Sequence, residues 1–496
     1  MFIRKVKTSS GATAVQLATR KNKRDVVKEH IGSARNDVEL ALLIEIARKK
    51  QYAGQLSLFS EGPLDASLPR ITTVGSKSRF LYNILAKVYG RLGFDQINDE
   101  IFKQLVIARL VEPTSKLDSI RVLKGLGAEP PSKDRLYRSL PAINANGYRD
   151  QISDCCLKFV SPSSLSLVLY DVTTLYYESQ QGDEFRVPGL SKERRLDPQI
   201  VVGLLVNRGG FPLAVRAFEG NRAETRTLIP IVQEFSSRYG FKDITVAADA
   251  AMLSAENLTA LEQAGLYYIV GSKMDKIPYE IDLIGDIDMA VNDGAILDLN
   301  KTCIIGGHKC KRRVVYQYRE KRAKLDRKNI DDQVNKAERI ISGKAQVARN
   351  RFLQVTGGKK TINSSLVAKY RTRAGWKGYV TNRPKEGKLK VPPLEIIDCY
   401  HQLFQVEKSF RMSKSDLRAR PIYHRKLGSI EAHITIVFAA LAIARFIEGR
   451  TDISIKRFVQ TLNRVVTATV CINGQNIEAP PQIPEDVAKM IVRLLG

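Results

Sequence analysis

Leu167-Val168-Leu169-Tyr170-Asp171-Val172-Thr173-Thr174 is an apolar, β-branched run with a single carboxylate set into it. Such a run reads as a strand buried on at least one face. By period-two alternation Asp171 shares a face with Leu167 and Leu169, so its carboxylate is carried onto a partly buried surface. The arrangement recurs at Thr245-Val246-Ala247-Ala248-Asp249-Ala250-Ala251, where an acid closes another apolar run. Around these two runs the pattern predicts five strands. They are Leu165 to Val172, Ile200 to Val206, Pro212 to Phe218, Ile244 to Ala248 and Tyr267 to Val270. Arg208-Gly209-Gly210 reads as a hairpin turn between the second and third. A helix from Ser254 to a stop at Gly265 joins the fourth to the fifth. Antiparallel hairpins followed by strand–helix–strand give a mixed sheet and an α/β fold class.

Composition sets the setting for those acids. The chain has 496 residues, 79 Lys+Arg against 52 Asp+Glu, a formal charge of +27 and 44% hydrophobic residues. That hydrophobic content excludes disorder for most of the chain, and the length suits two to four domains. The positive surplus points to a polyanionic partner, nucleic acid first and an anionic membrane surface second. The N-terminal stretch has no apolar signal region, and the apolar run Ile434 to Ala444 is short for a membrane span and reads as a core helix. The expectation is therefore a cytoplasmic protein with no membrane partner. Six Cys form no disulfide framework. Cys303, His308 and Cys310 bring three zinc-type ligands without a fourth.

The organisation along the chain follows from changes in periodicity. Residues 1–75 form a basic region with short strands, ending in a polar tract near Asp65 to Lys77 that reads as a linker. Residues 76–160 are helical and basic. Ile101, Leu105, Val106, Ala108 and Leu110 make one stripe, and Ser132 is placed to cap a following helix. This pattern suits either a helix-turn-helix-like DNA-binding bundle or a helical domain with a solvated charged face. Residues 276–379 interrupt the strand pattern with a basic insertion of strands and a charged helix. Lys309 to Arg351 carries 15 Lys+Arg and 5 Asp+Glu. Ile330, Val334, Ala337 and Ile341 stripe its helix, and Trp376 reads as core packing. Residues 451–496 form a C-terminal helix/strand extension.

In so basic a chain, Asp171 and Asp249 need a reason. Carboxylates on neighbouring strands repel unless a cation lies between them, and two hard oxygen donors suit Mg²⁺. A third element enters at Pro392-Pro393-Leu394-Glu395, the start of a helix. On one continuous helix Tyr400, Glu407, Arg411 and Lys414 fall along one face. The stripe reads as a solvated salt-bridge row, or as a metal-ligating Glu407 beside a Tyr and cations that clamp phosphate.

Tyr400-x2-Leu403-x3-Glu407-x6-Lys414 resembles the Tyr-Arg-Glu-Lys signature of bacterial insertion-sequence DDE transposases, with Leu403 where many members carry Arg. Asp171-Val172-Thr173-Thr174, Phe218-Glu219-Gly220-Asn221, Ala248-Asp249-Ala250-Ala251-Met252 and Arg420-Pro421-Ile422-Tyr423-His424-Arg425 are similar to other blocks of that family. The resemblance implies an RNase H-like core, a mixed five-stranded sheet with helices over 161–275 and 380–450. A largely β insertion domain over 276–379 interrupts this core, and the helical region of 76–160, with DNA binding as its role, precedes it. It implies Asp171, Asp249 and Glu407 as catalytic metal ligands for two Mg²⁺, with Mn²⁺ as a substitute. Tyr400 and Lys414 hold terminal phosphates by the same resemblance; the helical face adds Arg411, and Lys408 is a further candidate for the same role. The implied partners are double-stranded DNA, as inverted-repeat element ends and target, and a second copy in a homodimeric synapse. The implied reaction is cleavage at element ends and strand transfer by two-metal phosphoryl transfer. A nuclease of the same fold that cuts without transposing, and a basic non-catalytic DNA-binding protein, are the competing readings.

Overall fold

Strong β-formers without helix periodicity gather between residues 165 and 271, and they become the centre of one sheet. The computed structural model describes the chain apart from residues 9–10, 22–23, 52–70, 162–164, 178–181, 190–196, 242, 251–253, 273–291, 306–307, 347, 357–358, 388–389, 425 and 473–474. The chain divides into two units: Met1–Phe159 with Ser409–Gly496, and Val160–Lys408.

In the unit of Val160–Lys408 the strands are β1 (Leu167–Tyr176), β2 (Gln199–Asn207), β3 (Pro212–Glu219), β4 (Thr245–Ala248), β5 (Tyr267–Gly271), β6 (Ile296–Ile305), β7 (His308–Tyr318) and β8 (Trp376–Thr381). Their order in a single sheet is β6-β7-β8-β5-β4-β1-β2-β3. β4 pairs in parallel with both β1 and β5. The remaining pairings are antiparallel. β2 is buried along almost its whole length, as expected of an interior strand covered on both faces. Gly210, at φ +80, closes the β2–β3 connection. Ser254 caps the helix Ala255–Gln263 by accepting from the Asn257 N–H at 3.1 Å, and Gly265 follows it at φ +69.

The sheet has eight strands where five were expected. β6, β7 and β8 come from the basic interruption and do not stand apart from the sheet, because β8 pairs with β5 and continues it. The physical reason is the edge of β5, whose N–H and C=O groups would otherwise lack strand partners. Trp376 is buried at the start of β8, its ring 5.5 Å from that of Tyr318. The charged helix Glu320–Ile341 buries Ala323, Ile330, Ala337 and Ile340, while Ile341 is exposed, so the stripe ends one residue earlier than expected. Cys303 and Cys310 face each other in the β6–β7 register, but their side chains lie outside the described residues.

The other unit begins with an antiparallel sheet of Phe2–Lys7, Thr13–Lys21 and Arg24–Ala34. The helix Asp37–Gln51 packs on it through Ala47, Leu40, Leu43 and Ile44 against Val15 and Leu17. Ile71–Lys77 is a strand paired with Thr467–Ile472, so this part of the expected linker belongs to a sheet; the tract before it lies outside the described residues. Helices follow at Arg79–Arg91, Glu100–Val111, Ser119–Gly125, Lys133–Ala145 and Tyr148–Val160. Ser132 caps the fourth, accepting from the Arg135 N–H at 3.4 Å. Glu100–Val111 is buried nearly all round, Arg109 included, and not along a single stripe. It packs against Leu427–Thr451, a helix long and apolar enough to cross a membrane whose most apolar window is 94% buried in the protein.

One substitution tests the packing of the large sheet. A Cβ on Gly203 in β2 would stand 2.6 Å from the hydroxyl of Tyr170 and 3.1 Å from its ring, and Tyr170 is fully buried in β1. Gly203→Ala should therefore destabilise the protein by about 1–3 kcal/mol. A lowered urea midpoint with an unchanged m-value would record it.

Candidate active site

The register of β1 and β4 decides where the first two acids meet. Leu169 pairs with Ala247 and Tyr170 with Ala248 in parallel, so Asp171, within β1, and Asp249, the first residue after β4, follow the last matched pair. Neighbouring strands run roughly 4.8 Å apart and side chains at matched parallel positions face the same way. Asp171 is half-buried and Asp249 exposed. Two carboxylates so placed repel each other, and they make a site for positive charge.

Glu407, Tyr400 and the cations were expected on one uninterrupted helix. The chain instead forms two helices, Pro393–His401 and Phe404–Ser415. At the break Leu403 N–H donates to the Tyr400 carbonyl at 3.0 Å, an i→i−3 turn that replaces the helical bond. Glu407, Arg411 and Lys414 still share one face of the second helix, at offsets 0, 4 and 7. Tyr400 belongs to the first helix and reaches the acids independently. Its hydroxyl donates to Asp249 Oδ1 at 3.1 Å.

Tyr400 is held from several sides. Its ring meets Tyr379 edge-on, with centroids 4.9 Å apart at 63°. The Lys377 ammonium lies 4.3 Å over its face, a cation–π contact. Gly271 at the end of β5 leaves the space, since a Cβ there would stand 2.6 Å from the Tyr400 hydroxyl. Burial, then the carboxylate of Asp249, push the Tyr400 phenol well above its ordinary range, so it stays a hydrogen-bond donor at neutral pH.

Lys377 was not among the residues picked out from sequence. It sits on β8, half-buried, and burial followed by Arg322 pushes its pKa down while Asp249 and Glu407 oppose that shift. Both carboxylates also act on Tyr400, so Asp249 and Glu407 share an electrostatic neighbourhood around Lys377 and Tyr400. No sequence pattern marks this lysine, because the signal is its contact with Tyr400 on a helix that follows the strand.

The remaining expected residues are placed differently. Lys408 closes the unit of Val160–Lys408, whereas Arg411 and Lys414 belong to the other unit. There Lys414 borders a basic pocket, and Arg411 is exposed. Glu219, an acid in one of the family-like blocks, pairs with Arg222 at 3.1 Å.

Among the described residues, no three His, Cys, Asp or Glu side chains stand close enough together to hold one ion. The donor set nevertheless fits a hard divalent cation in kind. Asp171 in β1 and Asp249 just after β4 provide two carboxylates beyond the last matched pair of the two strands, and Glu407 is a third within electrostatic reach of the same two side chains as Asp249.

Two outcomes check this geometry. Replacing Asp249 by Asn removes a carboxylate that favours the charged form of Lys377, so the Lys377 pKa should fall further. A ¹³C-lysine NMR titration reads the change, and a rise would contradict the arrangement. Gly271→Ala should displace the Tyr400 ring and cost about 1–3 kcal/mol in denaturant unfolding, whereas Tyr400→Phe, which keeps the ring, should cost only about 1 kcal/mol.

Comparison with known proteins follows the same residues. The family model described as Transposase DDE domain matches residues 162–443, a span holding Asp171, Asp249, Tyr400 and Glu407. No curated protein matches. Among solved structures, the piggyBac transposase synaptic complex with hairpin DNA is similar at 10% identity over 80% of this chain and 82% of that chain, with a TM-score of 0.38. With more than half of its length matched by that family model, the chain belongs to the DDE transposases and is an enzyme of DNA transposition.

Proposed function

We propose that this transposase cuts double-stranded DNA at the inverted-repeat ends of an insertion sequence and joins the freed ends to target DNA. Asp171, Asp249 and Glu407 would hold two Mg²⁺, for which Mn²⁺ can substitute. The chemistry such ions supply when bound is activation of a water or DNA 3′-hydroxyl and relief of charge on the leaving oxygen. In this reading β1 to β5 correspond to an RNase H-like core and β6 to β8 to inserted strands. The signature is of the bacterial Tyr-Arg-Glu-Lys type, the synapse is a homodimer, and the setting is the bacterial cytoplasm.

The chain's own residues have separable tasks. Asp171 and Asp249 hold negative charge beyond the last matched pair of β1 and β4. Tyr400 donates to Asp249 and fixes which lone pairs of that carboxylate face outward. Lys377, against the Tyr400 ring, offsets the charge of Asp249 and Glu407. Tyr400, Lys408, Arg411 and Lys414 bind DNA phosphates, as a Tyr hydroxyl and cationic side chains do. The observation that carries the reading is the hydrogen bond from Tyr400 to Asp249, which ties the helix Pro393–His401 to the acid that follows β4.

Separate replacement of Asp171, Asp249 and Glu407 by Ala tests it. Each should lower Mg²⁺-dependent cleavage of an element end on the order of a thousandfold, about 4 kcal/mol of transition-state stabilisation, while DNA binding is retained. Cleavage spared in all three would leave the acids structural and the protein a binder. Strand transfer of a precleaved end should also proceed. Its absence alongside intact cleavage would make the protein a nuclease.

A further inference from the structure

A pocket of about 940 Å³ lies within the unit of Met1–Phe159 and Ser409–Gly496, outside the acid site. It is lined by cations and no acid: among its described lining residues none is Asp or Glu. Arg109 and Lys116 form its buried part, only 6% and 4% exposed. Burying cations without counter-charge is costly, and an anionic ligand removes the cost.

Hydrogen bonding sets the state of the floor. His433 Nε2 lies 3.0 Å from the Ala419 carbonyl, which only accepts, so this nitrogen carries the proton. His433 Nδ1 is then the acceptor, and it takes a hydrogen bond from the Lys116 amine at 3.0 Å. Lys116 retains further N–H donors. Burial, with Lys116 and Arg109 next, holds both His433 and His424 neutral, His424 down at about 4, so neither ring adds charge. The wall adds Arg418 and Arg420. Arg418 keeps a left-handed backbone at φ +43, unusual for a residue with a side chain.

Phosphate alone does not account for the size or the rim. Tyr423 and Tyr137 also line the pocket and are 70% and 45% exposed, leaving aromatic faces at the entrance. Base stacking on such faces, combined with a cationic groove, is how proteins hold single-stranded nucleic acid. The volume lies at the top of the roughly 300–1,000 Å³ range of small-ligand pockets, enough for a nucleotide and too small for a duplex.

We propose that this pocket takes one unpaired DNA nucleotide, with its phosphate against Arg109 and Lys116 and its base against Tyr423. The inference rests on DNA as the substrate, as in the function above. It concerns a different set of residues from the catalytic acids.

The test is fluorescence anisotropy on the full chain without divalent ions. The probes are a blunt duplex and the same duplex bearing a three-nucleotide single-stranded extension. The extension should tighten binding about tenfold. Tyr423→Ala and Arg418→Gln, both at exposed positions, should each remove most of that gain and leave blunt-duplex affinity within about twofold. Thymidine monophosphate should abolish the gain at a concentration where inorganic phosphate does not. No gain in the wild type, a gain intact in both variants, or equal competition by inorganic phosphate would each overturn the proposal. Because no cleavage occurs, these outcomes are independent of whether Asp171, Asp249 and Glu407 prove catalytic.

Discussion

The parallel pairing of β1 with β4 is the constraint on which the rest of the site depends. Once Tyr170 lies beside Ala248, the next residue of β1 and the first residue after β4 are both acids. A shift of one residue in either strand would turn one carboxylate to the opposite face. Close packing on both faces guards against that shift: Leu167, Val168, Leu169, Tyr170, Val246 and Ala247 are all buried, and a slip would exchange side chains of different size between two packed faces. The register that packs the core is therefore the same register that brings Asp171 level with the end of β4, where Asp249 follows.

Those charges shape their surroundings. Tyr400 donates to one of them, and Lys377 stands over the Tyr400 ring within the influence of both Asp249 and Glu407. Gly271 leaves the space in which Tyr400 sits. The end of β4 and, more than a hundred residues later, β8 and the helix Pro393–His401 thus converge on one carboxylate. The net charge of +27 has the opposite role. Against that overall charge the two acids stand out as a local concentration of the opposite sign.

Strand positions were legible because burial on both faces leaves a strong apolar signal: each of the five expected runs lies within or beside one of β1 to β5. Sheet membership was not legible. Whether β6 to β8 form their own layer or extend an existing one depends on pairing across more than a hundred residues, and β8 settles it by lying against β5. The helix break at Gln402 and Leu403 carries no Gly or Pro, so periodicity ran straight through it. Ile71–Lys77 was mistaken for linker because its partner, Thr467–Ile472, is almost four hundred residues away. Asp171, Asp249 and Glu407 stood out as candidates because acids among apolar neighbours are conspicuous in a basic chain. Lys377 and Gly271 did not, since a Lys and a Gly in ordinary strands gain meaning only from what they face.

Binding of Mn²⁺ followed by electron paramagnetic resonance tests most directly whether the acids form a cation site. The wild-type chain should bind Mn²⁺ with loss of the free-ion signal, and Asp171→Asn, Asp249→Asn and Glu407→Gln should each weaken that binding. Equal Mn²⁺ binding by the wild type and all three variants would contradict the account.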